Sequence, residues 1–189
     1  MNMFNRILKA AKLDVDFFKE AERDTSLNQE ALMVVILVSV AGGVGAFLSA
    51  LFGGTFKAAI LALIVPIILG IVNYYIWAYV TYFVGTKLFA ADADPGELLR
   101  VLGYASGPRA LSVLSFIPCL GGIVGLVGAV WALIAGFIGT REALDLDTGK
   151  TIITIIIGWV IVFIISLIIG SVLGIGAMGV GAAGSFLSQ

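Results

Sequence analysis

Long apolar runs separated by short polar islands organise this chain. The runs cover residues 31–52, Ala58 to about Gly85, the zone from Gly107 to Thr140, and residues 151–174. A helix needs about 20 mainly apolar residues to cross a bilayer, so each run reads as membrane-crossing material. The last run is rich in Ile and Val, which in water would suggest a strand. Across lipid, a helix is the one open-chain form that satisfies its own backbone. The second run would be about 42 Å long as a helix, against a hydrocarbon core of about 30 Å. It must therefore tilt, protrude or kink, and Pro66 offers the kink.

The zone 107–140 is too long for one crossing and barely long enough for two. Pro118 and the pair Gly121-Gly122 are strong breakers within four residues of one another. One over-long helix, two short spans joined at Ile117–Gly122, and a re-entrant hairpin compete. A short span over 107–118, broken at Pro118, followed by a span over 121–140 fits the breakers best. The pattern then predicts an all-α polytopic membrane protein with five transmembrane helices.

The polar islands carry smaller elements. In residues 1–30, Phe4, Ile7, Leu8 and Ala11 share one helical face and Arg6, Lys9 and Lys12 the other. This predicts an amphipathic interfacial helix ending near Leu13, with Phe17 and Phe18 as a second contact. The charges in this leader are of both signs and the leader is long. The first run is accordingly expected to stay as an anchor and not to be cleaved as a signal peptide. In Ala91–Leu99, Asp94 is a good N-cap, Pro95 suits the first helical position and Glu97 completes a capping box. A helix Pro95–Ala105 follows, expected to carry Leu98, Val101, Leu102 and Ala105 toward the membrane. Asp147 or Thr148 should cap the last helix. The chain divides into a cytoplasmic amphipathic segment 1–30, a five-span domain 31–174 and a Gly/Ala-rich tail 175–189.

Within the spans, small residues recur at helical spacing: Gly42 in the first, Gly125, Gly128 and Gly139 in the fourth, Gly170 and Gly174 in the fifth. Such faces let helix backbones approach closely. Asn73, deep in the second span, should face another helix, with Trp77 and Thr81 on the same side. Trp131 is the one large polar-tipped side chain in its span.

Composition narrows the function. The 189 residues are 60% hydrophobic and 12% charged, about half the charge of a soluble domain. A net charge of −1 gives no pull toward nucleic acid. Histidine is absent and Cys119 is the single cysteine, so the commonest general base and any internal disulfide are missing. Cys119 reads as a packing residue. Asp145–Thr151 resembles the end of a phosphate-binding loop, but Leu144 stands where that loop needs its first glycine. Asp92, Asp94 and Glu97 could suggest a divalent-ion site, yet capping already explains two of them. No catalytic residue, metal site or cofactor is expected. The apolar runs bury no Asp or Glu of the kind ion-coupled transporters use.

Charge also sets orientation, since cytoplasmic loops collect Lys and Arg. Five crossings from a cytoplasmic N-terminus put ten of the eleven basic residues inside and only Lys57 outside. A single crossing of 107–140 would move Arg141 and Lys150 outside and spoil that asymmetry. A hairpin entering from inside is not excluded by charge. The C-terminus is expected outside.

The stretch from Leu98 to Ile157 resembles the Yip-domain family, the Ypt/Rab-interacting membrane proteins and their short prokaryotic relatives. The matching features are Gly103-Tyr104 followed by Pro108, the break at Ile117-Pro118, Trp131, the Gly139–Glu142 exit and the Thr148–Lys150 entry. The likeness covers roughly residues 30–170. It implies five spans with a cytoplasmic N-terminus, and for eukaryotic members a role in membrane trafficking through binding small GTPases or one another. This chain lacks their long N-terminal domain and Asp-Leu-Tyr-Gly-Pro signature, so GTPase binding does not carry over. The expected activity is that of a non-enzymatic membrane organiser or partner-binding scaffold that works by helix packing. Its partners would be membrane lipids and other membrane proteins or further copies of itself. Tyr104, Pro108 and Arg109 would form an organising corner. A small permease or channel subunit with a path near the broken third span is the alternative.

Overall fold

A computed structural model of the protein describes residues 1–53, 55–117 and 120–172. Pro118, Cys119, Gly174 and the tail 175–189 lie outside the described residues, as do the surroundings of Gly170.

Two short helices open the chain. Asn2 caps α1 (Met3–Ala11) by accepting from the Asn5 amide at 2.9 Å, and Leu13, at φ 62, ends it in the left-handed region. Asp14 then caps α2 (Val15–Arg23), accepting from the Phe17 amide. A 3₁₀ turn, Thr25–Leu27, leads into α3 (Asn28–Gly53). Thr55 caps α4 (Phe56–Phe89), which holds Pro66 inside it and stops at Ala90, φ 53. At 34 residues α4 is about 51 Å long, well beyond the apolar run read from sequence. The capping box at Asp94 and Glu97 forms as expected and starts α5 (Pro95–Ala105). A 3₁₀ arm, Gly107–Phe116, follows α5. Ile117 is extended, and α6 (Leu120–Ala143) and α7 (Thr148–Val172) complete the described chain. Asp147 caps α7, accepting from the Lys150 amide at 3.0 Å. The chain is helical throughout its regular structure among the described residues.

Four stretches are long and apolar enough to cross a membrane: Thr25–Phe52, Phe56–Phe89, Leu120–Ala143 and Thr148–Ile165. The expected short third span is a different object. Residues 107–116 wind as a 3₁₀ helix, about 20 Å long at 2.0 Å per residue. This arm continues α5, and the pair behaves as one rod. It runs parallel to α3: Gly103 meets Ala31, and further along Ser112 meets Gly42 and Gly45. It runs antiparallel to α6, where Gly139 meets Val101, Gly128 meets the Pro108 carbonyl and Gly121 meets Ser115.

The glycines explain how the arm fits. A Cβ on Gly45 would stand 2.6 Å from the Ser112 carbonyl oxygen and 2.8 Å from that of Val113. One on Gly128 would stand 2.9 Å from the Pro108 carbonyl oxygen. The 3₁₀ rod is thus wedged between two helices whose facing positions are stripped of side chains. Gly42, Gly128 and Gly139 make close approaches. Gly125 does not, since nothing lies within 4 Å of where its Cβ would be.

Around the bundle the neighbours form a ring: α7 packs on α4, α4 on α3, α3 on the arm, the arm on α6, and α6 more loosely on α7. At the polar end, α1, α2 and α5 fill the space beneath this ring. Leu98, Val101, Leu102 and Ala105, expected to face the membrane, are buried in protein, because α5 is enclosed by α2, α3, α4 and α6. Phe17 and Phe18 are likewise fully buried and not at a headgroup surface. Phe17 meets Tyr104 edge-on, with centroids 5.1 Å apart, and Phe18 lies against Gly139. Residues 10–27 therefore share one hydrophobic core with α3, α5 and α6.

Candidate functional site

The polar end is held by two buried side-chain clusters. The first centres on Arg100, only 2% exposed. Its Nε donates to the Ala21 carbonyl at 2.9 Å, Nη1 to Asn28 Oδ1 at 2.8 Å, and Nη2 to the Glu22 carbonyl. The last carbonyls of a helix lack internal partners and carry the negative end of its dipole. A guanidinium placed there satisfies them and is itself stabilised. Arg100 thus ties the end of α2 and the start of α3 to α5. The second cluster joins Tyr104, whose hydroxyl donates to Glu30 Oε1 at 2.8 Å, and Arg6, whose Nη1 meets Glu30 Oε2 at 2.7 Å. The sequence pattern puts Arg6 on the polar face of an interfacial helix. The Glu30 carboxylate at the start of α3 draws it inward, while Phe4 and Leu8 stay exposed.

Beside these clusters lies Glu22, whose Oε2 is buried without a hydrogen-bond partner among the described residues. Burial pushes its carboxyl up to about 7, and Asp145 adds to the rise. Arg23, 3.3 Å away, pulls the other way, and Glu97 and Glu142 add smaller upward pushes. The carboxylates here do not group as a metal site; no set of three His, Cys, Asp or Glu among the described residues could hold an ion.

The ring of rods encloses a cleft of about 700 Å³. All five rods contribute, together with α5. Its polar lining includes Ser39, Asn73, Ser106, Arg109, Ser112 and Thr140. Asn73 and Trp77 both line the cleft, and Trp77 and the buried Thr81 lie side by side against Gly158 of α7. Trp131 does not join them. Its indole N–H donates to the Ala11 carbonyl at 2.6 Å, closing the free C-terminal end of α1 from the outside of the ring. The expected corner also divides. Tyr104 is in the knot, Pro108 is buried against Gly128, and Arg109 opens into the cleft. A smaller cavity of about 530 Å³ lies between Ser49 and Phe52 of α3 and Ser115–Ile117 at the far end of the arm.

Arg100, Glu30 and Glu22 were not singled out from sequence. The available signal was an arginine inside the otherwise apolar stretch Leu98–Val101, where only a buried partner set makes a cation tolerable.

Four long apolar helices and a 3₁₀ arm around an internal cleft, pinned at one end by a knot of short helices, make this a multi-pass integral membrane protein. The model of the Yip1 domain family matches residues 14–186, and the chain belongs to that family. The match begins at the cap of α2, so the Phe17–Tyr104 contact falls within it. No curated protein and no solved structure matches the chain.

Proposed function

We propose that this Yip1-family protein is a non-enzymatic membrane scaffold, which presents the knot of α1, α2 and α5 as a rigid partner-binding surface at the cytoplasmic face. The observation that carries this is Arg100. Its guanidinium fastens α2, which would be marginal on its own, and the start of α3 onto a rod that continues into the bundle. A surface held this way keeps its shape without a partner, as a docking platform requires. The N-terminus lies inside, and α5 with the arm forms the third of five crossings. Together they span about 36 Å. Phe116 and Ile117 line a cavity together with Ser49 and Phe52, near the end of α3, which supports a rod that reaches the opposite side.

Crosslinking in native membranes, followed by identification of the captured species, tests the reading. The scaffold predicts discrete protein adducts through the knot that weaken in an Arg100→Leu variant. Absence of any adduct in the wild-type chain would contradict it. The cleft keeps a permease as second reading, because Asn73 and Arg109 line it. Solute flux in liposomes that falls in Asn73→Leu would favour transport over the scaffold.

A further inference from the structure

The 3₁₀ winding of the arm has a chemical result. With three residues per turn, side chains three apart lie directly above one another. Ser106, Arg109 and Ser112 therefore stack into one stripe, and all three line the cleft. In an α-helix the same residues would drift by about 120° over this interval, and the stripe would be lost. Arg109 is exposed within the cleft and makes no ion pair among the described residues. The residues outside the description contain no Asp or Glu. Around this cation the walls are apolar: Leu133 and Phe137 of α6 face Ile155, Trp159 and Phe163 of α7. Thr140, 1% exposed, also borders the cleft, and its Oγ1 has no hydrogen-bond partner among the described residues.

We propose that the cleft binds one anionic phospholipid. Its phosphodiester sits against Arg109 and the Ser112 hydroxyl, the Ser106 hydroxyl being committed to the Gly103 carbonyl at 2.6 Å, and its acyl chains lie along the α6–α7 wall. Charge complementarity selects the headgroup, since guanidinium–phosphate pairing is charge-assisted and bidentate. The apolar walls select an amphiphile over a free anion. The seam between α6 and α7 is the least closely packed in the ring, so chains longer than the cleft extend through it into the bilayer. The inference is independent of the scaffold reading, which needs the knot and not the cleft.

The test is native mass spectrometry of the full chain, delipidated in neutral detergent and titrated with dioleoyl phosphatidylglycerol, dioleoylglycerol or inorganic phosphate. One phosphatidylglycerol should be retained, dioleoylglycerol should not be, and phosphate should not displace the lipid. Arg109→Gln should weaken retention about tenfold and Arg109→Lys less. Gly125→Leu fills the cleft from a position with open space around it. It should also lower retention while leaving the thermal midpoint unchanged, and it decides the matter if Arg109→Gln misfolds. Equal retention in wild type and Gly125→Leu would reduce the bound lipid to annular solvent and overturn the site. Displacement by phosphate alone would overturn the choice of a lipid.

Discussion

At the scale of single residues, the polar end depends on a few side chains with no substitute. Arg100 holds three acceptors, two of them carbonyls at the end of α2. Arg100→Leu leaves all three unmatched in a buried site and should cost about 3 kcal/mol, read as a lowered thermal midpoint in detergent. Tyr104→Phe removes one bond to Glu30 and should cost about 1 kcal/mol. Glu22 gives a pH signature. Its folded carboxyl titrates at about 7 against an ordinary 4.5, so the folded state binds the proton more tightly. Below 4.5 both states are protonated and nothing is lost. As pH rises from 4.5 to about 7 the unfolded chain releases its proton first, so stability falls across that window and the penalty is complete above it. Glu22→Gln should flatten this part of the stability profile; an unchanged slope would place the titration elsewhere.

At the scale of elements, the long helices were plain from the apolar runs, and the Asp94–Glu97 box and the Asp147 cap were written in local sequence. Their chemistry is satisfied within a few residues, so no tertiary knowledge is needed. The third rod was not legible in this way. Sequence put its start at Gly107, because the helix Pro95–Ala105 with Glu97 and Arg100 reads as a separate polar-island element ahead of the uncharged run. In the fold the Arg100 guanidinium is solvated by the α2 carbonyls and the Asn28 amide oxygen, and α5 becomes buried protein. The 3₁₀ form of the arm was equally hidden, since it comes from the narrow slot between the glycines of α3 and α6. That slot gives a sharp comparison. Gly45→Ala would press a methyl onto the Ser112 and Val113 carbonyls and should cost about 1–3 kcal/mol. Gly122→Ala meets nothing within 4 Å and should be neutral or slightly stabilising. Equal effects on the thermal midpoints would mean the arm is not wedged as described.

At the scale of the whole molecule, a slim irregular rod packs among four long apolar helices. A backbone without α-helical bonding is costly against lipid and is tolerated where protein encloses it. Here α3 and α6 flank the arm, and the cleft lies on a third side. In the topology proposed above the crossing number is odd, with α5 and the arm carrying the chain from the knot toward the far end of α3. That proposed topology would leave Lys57 as the one basic residue outside, the asymmetry that the positive-inside effect favours. The most direct measurement is compartment-specific labelling of tags at both termini of the full chain in sealed, right-side-out membranes. Five crossings predict a C-terminal tag labelled from outside and an N-terminal tag protected until the membrane is opened. Both tags labelled, or both protected, in intact membranes would contradict it.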